Sequence, residues 1–441
     1  MTVGLLGIFG VIVFLMCGVP IGITLAIIGF VGFTVLAGFQ PALGMLASLP
    51  YHISTEWTFV VIPMFMLLGN FASTAGLGKD AYLAAFKWIG HIRGGLMAAT
   101  TLANCAFGFA SGSSLAAAST FATIALPEAE KFGYNRGFTL AAVASAGTLS
   151  ALIPPSGMMV FYCIFTEVSL GKVLIAGIFP GLLTGILFLF TIYLRTRQRP
   201  DLAPVSDVGR IPLKEKLESL KMVGPIALVM LFVLGGIYLG IFTPTEAGAI
   251  AAIVAFILLL IRKRKEAQTI FAEILKASLN AVGTTAIVFI IIVGAFVFGR
   301  FLAASGIISA FSDWATSLPV PPIIILILMI IVLLVMGTFM EVVAIVGLTM
   351  PVFFPVIVKL GFDPVWFGII VVMMVEIGVL TPPLGTNVYV VKASADSIGY
   401  PVTLENIFAA LWPFFLSYIV AVALIVAFPS IALYLVNLMW Q

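Results

Sequence analysis

Residues 94–127 read GGLMAATTLANCAFGFASGSSLAAASTFATIALP, 34 consecutive uncharged residues between Arg93 and Glu128. As one straight helix they would run about 51 Å, far beyond a bilayer hydrocarbon core of roughly 30 Å. The string Ser111-Gly112-Ser113-Ser114 sits in the middle. Each flank, 94–108 and 115–127, reaches only about 20 Å and cannot span alone. The pattern predicts a re-entrant helical hairpin over 93–130 with those four residues at its tip. Irregular backbone at membrane depth is tolerated where protein or a wet cavity covers it. Two short, tilted spans are the plainer alternative.

The plan recurs downstream. Segments 320–336 and 342–357 flank Gly337-Thr-Phe-Met-Glu341, which predicts a second hairpin over 320–358. Shifting the chain by 228 superposes Pro127, Lys131 and Gly133 on Pro355, Lys359 and Gly361. The same shift lays Leu152, Pro154, Pro155 and Gly157 on Leu380, Pro382, Pro383 and Gly385. A rare Pro-Pro pair recurring in register marks a duplicated chain. Repeated halves with Gly/Pro-interrupted segments at matching positions are the pattern of a secondary transporter. The expected units are a first repeat over 1–200, a cytoplasmic linker over 201–221 and a second repeat over 222–441. Each repeat holds an amphipathic arm (77–92, 305–318), a hairpin and a broken helix (137–165, 365–393).

Composition agrees. Of 441 residues, 62% are hydrophobic and 9% charged, which excludes a water-soluble enzyme and predicts an all-α polytopic membrane protein. The net charge of +3 is too small to suggest nucleic acid. Cys17, Cys105 and Cys163 all lie in apolar runs and read as small hydrophobes. No Asp, Glu, Lys or Arg precedes Glu56, so Met1–Gly18 lacks the basic region of a signal peptide. Residues 3–38 read instead as one long or broken retained membrane helix. The basic clusters Arg195–Lys221 and Arg262-Lys263-Arg264-Lys265 should be cytoplasmic. An odd number of crossings per half would invert the second repeat and place both termini outside.

The chemistry should sit at the breaks. Pro154 and Pro155 lack the N–H groups that would pair helically with the carbonyls of Ser150 and Ala151; Pro382 and Pro383 do the same to Gly378 and Val379. Unpaired carbonyls in lipid cost several kcal/mol each, and a small hard cation with nearby Ser and Thr hydroxyls would relieve that cost. Restarting helices also aim N–H groups at the break, which suits an anion. Glu341 and Glu376 are intramembrane carboxylates and candidates for coupling. Glu56, Arg300 and Lys392 lie nearer predicted helix ends. No nucleotide-binding G-x-x-x-x-G-K-[ST] string occurs, since Gly76-Leu-Gly-Lys79 lacks its leading glycine. Phe109-Ala-Ser-Gly112 has no base beside it, the only histidines being His52 and His91 near helix ends. A catalytic serine is therefore a remote reading, and no metal-ligating cluster is present.

Taken together, several strings resemble the large membrane subunit of tripartite ATP-independent periplasmic (TRAP) transporters. In the first half they are Gly108-Phe-Ala-Ser-Gly-Ser-Ser114, Pro127-Glu-Ala-Glu-Lys-Phe-Gly-Tyr134, Ala144-Ser-Ala-Gly-Thr-Leu149, Ile153-Pro-Pro-Ser156 and Ala176-Gly-Ile-Phe-Pro-Gly181. In the second they are Gly337-Thr-Phe-Met-Glu341, Leu360-Gly-Phe-Asp-Pro-Val-Trp-Phe-Gly368 and Glu376-Ile-Gly-Val-Leu-Thr-Pro-Pro-Leu-Gly385. Glu341 departs from the Asp common in that family. The resemblance implies inverted repeats and an elevator-type sodium symporter of the bacterial inner membrane. It implies two partners, a small four-helix membrane subunit and a periplasmic substrate-binding protein, and a small organic anion, carboxylate or sulfonate, as substrate. It also implies sodium as coupling ion and no organic cofactor. One sodium site would use Ser111, Gly112, Ser113, Ser114, Ser150, Ala151 and Ser156. The other would use Gly337, Thr338, Gly378, Val379, Thr381 and Thr386. Pro154, Pro155, Glu341, Glu376, Pro382, Pro383 and Asn387 are the substrate or coupling candidates. A self-sufficient sodium or proton/anion symporter of similar fold remains the alternative.

Overall fold

A computed structural model describes residues 1–204, 211–264 and 267–439; Arg210 of the expected linker and Lys265 of the basic run lie outside them. Every regular element among the described residues is helical. Among the described residues, seven helices are long and apolar enough to span a membrane, or eight if one bent pair counts as a span.

The chain opens with α1 (Thr2–Met16) and α2 (Ile21–Ala37), followed by α3 (Phe39–Thr55) and α4 (Val61–Thr74). The arm α5 (Leu77–Ile89) leads into α6 (Gly95–Ser111) and α7 (Ser114–Lys131), which form hairpin 1. Next come α8 (Arg136–Leu152) and α9 (Gly157–Thr166), bent by 46° at their break. The half closes with α10 (Leu170–Ala176) and α11 (Ile178–Gln198). The second half starts with α12 (Leu213–Met230), which passes through a π turn into α13 (Gly236–Tyr238), then α14 (Pro244–Lys263) and the 38-residue α15 (Ala267–Ala304). From there the order repeats. The arm is α16 (Ile307–Ser317), and hairpin 2 is α17 (Pro322–Gly337) with α18 (Val342–Lys359). The broken pair is α19 (Pro364–Gly378) with α20 (Thr386–Ser397), and α21 (Leu404–Ala427) and α22 (Ser430–Leu438) close the chain.

Short polar residues set the starts. Asn135 accepts the Phe138 N–H at 3.0 Å, Asp363 accepts those of Val365 and Trp366 at 2.8 and 2.9 Å, and Thr243 and Glu246 make a reciprocal capping box on α14. Each satisfies donors that the first helical turn cannot.

Segment 3–38 differs from the expectation of one long or broken span. The chain turns back at Cys17–Pro20, and α1 and α2 lie side by side, because both pack on the same partner. The Phe301 ring lies against Gly7 and Gly32, residues far apart in sequence but level in the fold. Bare glycines are what let that ring approach both helices.

The repeats are inverted, and α15 displays it. At its start, Lys263 pairs with Glu273; beside this end, Arg262 pairs with Asp80 of the arm α5. Trp88 of the same arm donates its indole N–H to Lys216 O at 3.1 Å, and Gly94 packs on Thr196, so both basic segments gather here. The equivalent arm α16 follows the other end of α15, about 57 Å away along the helix. The termini share that far end: Gly4 packs on Ser305, and Met439 on Gly171. Between the ends, α8 is buried from Gly137 to Leu152 and α19 from Val365 to Gly378. Helices buried on every face form the centre of the molecule.

Candidate functional site

Each hairpin tip rests on the broken helix of its own repeat. At the first junction Gly112 adopts φ 63 at the turn between α6 and α7, and a Cβ there would strike Pro155 O. Gly157 donates its N–H to Gly112 O at 3.3 Å. Ser113 caps α7 by accepting the Ala116 N–H at 3.4 Å, and Ser150 donates to Asn104 O at 3.1 Å. Ser156 accepts the Met159 N–H at 3.4 Å and donates its own hydrogen to Ala151 O. The whole break, Ala151 to Ser156, is buried, with the Pro154-Pro155 pair inside it. Buried Ser111 Oγ has no hydrogen-bond partner among the described residues.

The second junction brings Gly337 and Gly378 together backbone on backbone. Leu384 donates its N–H to Thr338 O at 3.3 Å, and the Thr338 and Thr381 hydroxyls donate to Val335 O and Ile377 O, both at 2.8 Å. This corrects the expectation of unpaired carbonyls. Gly378 O takes the Thr381 N–H at 2.9 Å, and Val379 O takes the Asn387 N–H at 3.1 Å. Prolines remove the helical donors, but a tight turn and the first residues of α20 replace them. At the first junction Ala151 O is likewise partnered, by Ser156, while no loop N–H or side chain reaches Ser150 O among the described residues. Paired carbonyls retain a second lone pair for a ligand. Pro382, Pro383 and Glu341 are exposed, and Thr386 is half-buried, so the second junction is the more open one.

The two junctions interlock where the broken helices cross. Ser114 donates to Glu376 Oε1 at 3.3 Å, and Asn387 donates its amide to Ala144 O at 3.4 Å. Glu376 and Asn387 are fully buried, and Glu376 Oε2 and Asn387 Oδ1 have no partner among the described residues. Sequence reasoning missed Asn104, Ser145 and Tyr418, buried polar residues whose Oδ1, Oγ and hydroxyl are likewise unpartnered. Their signal was present: each is a polar group inside a long apolar run. Of the remaining charged candidates, Lys392 pairs with Asp396 at 2.5 Å on the surface of α20, while Glu56 and Arg300 line a cavity of about 930 Å³ near the termini, away from both junctions.

Paired helical hairpins over broken helices, in inverted repeats, are the architecture of a multi-pass secondary transporter. Comparison with known proteins carries this further. The family described as "Tripartite ATP-independent periplasmic transporter, DctM component" matches residues 8–431. The chain is 37% identical to the "C4-dicarboxylate TRAP transporter large permease protein DctM" of Pseudomonas aeruginosa over 93% of each. It is 32% identical to the "Isethionate TRAP transporter permease protein DctMQ" of Oleidesulfovibrio alaskensis, over 87% of this chain and 59% of that one. The fold is similar to the YdaH transporter of Alcanivorax borkumensis, with a TM-score of 0.61, 16% identity, and coverage of 91% and 90% of the two chains. The chain belongs to the DctM family: it is a TRAP transporter large permease, a multi-pass protein of the inner membrane. Large permeases of this family work with a small membrane subunit and a periplasmic binding protein.

Proposed function

We propose that this permease couples sodium entry to uptake of a small organic anion, a carboxylate or sulfonate. A periplasmic binding protein delivers the anion, and a separate four-helix subunit completes the membrane complex. The observation that carries this reading is the pair of repeat-related tip-on-break junctions, each rich in hydroxyl and carbonyl oxygens and free of basic side chains. Sodium would sit at the first on Ser111, Ser113, Ser114 and Ser156 with the carbonyls of Gly112, Ser150 and Ala151. It would sit at the second on Thr338, Thr381 and Thr386 with those of Gly337, Gly378 and Val379. Sodium there would offset the negative ends of the carbonyls, and the positive dipole ends of α9 and α20 would favour the anion. Pro154, Pro155, Pro382, Pro383, Glu341 and Asn387 flank that space. Two relatives bear names of anion transporters, for C4-dicarboxylate and isethionate. The hairpins and broken helices would move as one body against the remaining helices, in the manner of an elevator.

The test is uptake into proteoliposomes holding the permease with its two partners. An inward sodium gradient should drive uptake and ATP should not affect it. Undiminished uptake without sodium would reject the coupling, and full uptake without a binding protein would favour a self-sufficient symporter.

A further inference from the structure

We infer that Glu376 is a positioning residue that joins the two sodium sites, so that filling one prepares the other. This rests on the sodium reading above. Ser114 is the first helical residue after the tip of hairpin 1, yet its hydroxyl hydrogen goes to Glu376 in the opposite repeat, 262 positions away. Ser114 begins α7 at the tip of hairpin 1, and a hydroxyl that donates its hydrogen still keeps two lone pairs for a cation there. Glu376 stands two residues before Gly378, whose backbone carries the Gly337 tip, and three before Val379, whose carbonyl holds the Asn387 N–H. One hydrogen bond therefore spans from the oxygen set of the first junction to the helix end that shapes the second.

The direction of coupling follows from the chemistry. A cation on the lone pairs of Ser114 withdraws density from its O–H and makes it a stronger donor. The present 3.3 Å separation is longer than the 2.5–3.0 Å usual for O–H···O bonds, so a stronger donor has room to tighten it. Tightening holds the last turn of α19, and with it Gly378 and Val379, in the arrangement that presents their carbonyls. Linkage makes the effect mutual: an ion at the second junction favours one at the first. The burial of Glu376 suits this role, because a contact shielded from water keeps its strength.

The experiment compares wild type with Glu376→Met, which keeps side-chain bulk and removes the acceptor, and Glu376→Gln, which keeps an acceptor oxygen. Each is purified with the small subunit and reconstituted with the binding protein. Sodium dependence is read both as uptake and as the melting temperature of the membrane complex. Glu376→Met should lower the sodium Hill slope from about two to about one and raise half-saturating sodium about tenfold, within the usual range of coupling between sites. Glu376→Gln should restore most of the slope. A carboxylate with a purely structural role would lower the melting temperature in both variants and leave the slope unchanged, which overturns the inference. Should Glu376→Met not assemble, Glu376→Asp tests the same contact by withdrawing the acceptor one methylene from Ser114, and a wild-type slope there also overturns it. A wild type whose uptake and melting ignore sodium rejects the sodium reading itself; a steep wild type with an equally steep Met variant rejects only the coupling.

Discussion

Gly112 lies directly against the carbonyl of Pro155, close enough that the smallest side chain would collide with that oxygen. Gly337 and Gly378 meet as closely in the other repeat, where a Cβ on either would strike the Cα of its neighbour. At both places a hairpin tip touches a helix break through bare backbone. That contact leaves carbonyls, hydroxyls and helix ends in one small volume and no room for a methyl group between them.

Gly112→Ala should therefore carry two penalties, the positive φ at about 1–2 kcal/mol and the collision with Pro155. Gly337→Ala should carry the collision alone. Both variants should melt lower in detergent and need more sodium for uptake. Gly283→Ala in α15, where nothing lies within 4 Å of the added carbon, is the control and should be neutral or more stable by up to about 1 kcal/mol.

The proline pairs should not be equivalent. Replacing Pro154-Pro155 with Ala-Ala lets α8 extend and return a helical N–H to Ser150 O, which has no partner from a loop or side chain among the described residues. Replacing Pro382-Pro383 offers donors to carbonyls that Thr381 and Asn387 already engage. Half-saturating sodium should rise more in the first double variant than in the second. An equal or reversed order, measured by sodium titration of uptake, would contradict the carbonyl assignment.

Orientation is testable by thiol labelling of whole cells in a background lacking Cys17. Basic residues favour the cytoplasmic side, and Lys214 belongs to the basic end of the molecule while Ser430 follows α21 at the opposite end. A membrane-impermeant maleimide added outside should label Ser430→Cys and spare Lys214→Cys.

The arm α5 is tied down by Asp80 and Arg262, each less than a third exposed. Arg262 also donates to Ala75 O at 3.3 Å. Losing either partner strands a half-buried charge, so Asp80→Ala and Arg262→Ala should each cost about 1–3 kcal/mol. The double variant should cost less than their sum, and a double-mutant cycle on melting free energies measures the difference.

Much of this was legible from the chain alone. Residues 94–127 are too long for one span, with flanks too short for two, and this comparison with bilayer thickness requires a turn near Ser111–Ser114. The registered Pro-Pro pairs locate the breaks, since a residue without an N–H ends helical pairing wherever it stands. The basic clusters and the uncharged start mark the two ends. All of these are local properties, set by residue type and spacing.

What the sequence could not specify depends on which distant group arrives to meet a local one. The folding back of α1 on α2 required Phe301, and the pairing of Gly378 and Val379 required a turn and the start of α20. Above all, the contact of Ser114 with Glu376 joins residues in opposite repeats. A proline states that a carbonyl has lost its helical donor. Only the packed structure decides which other donor, if any, takes its place.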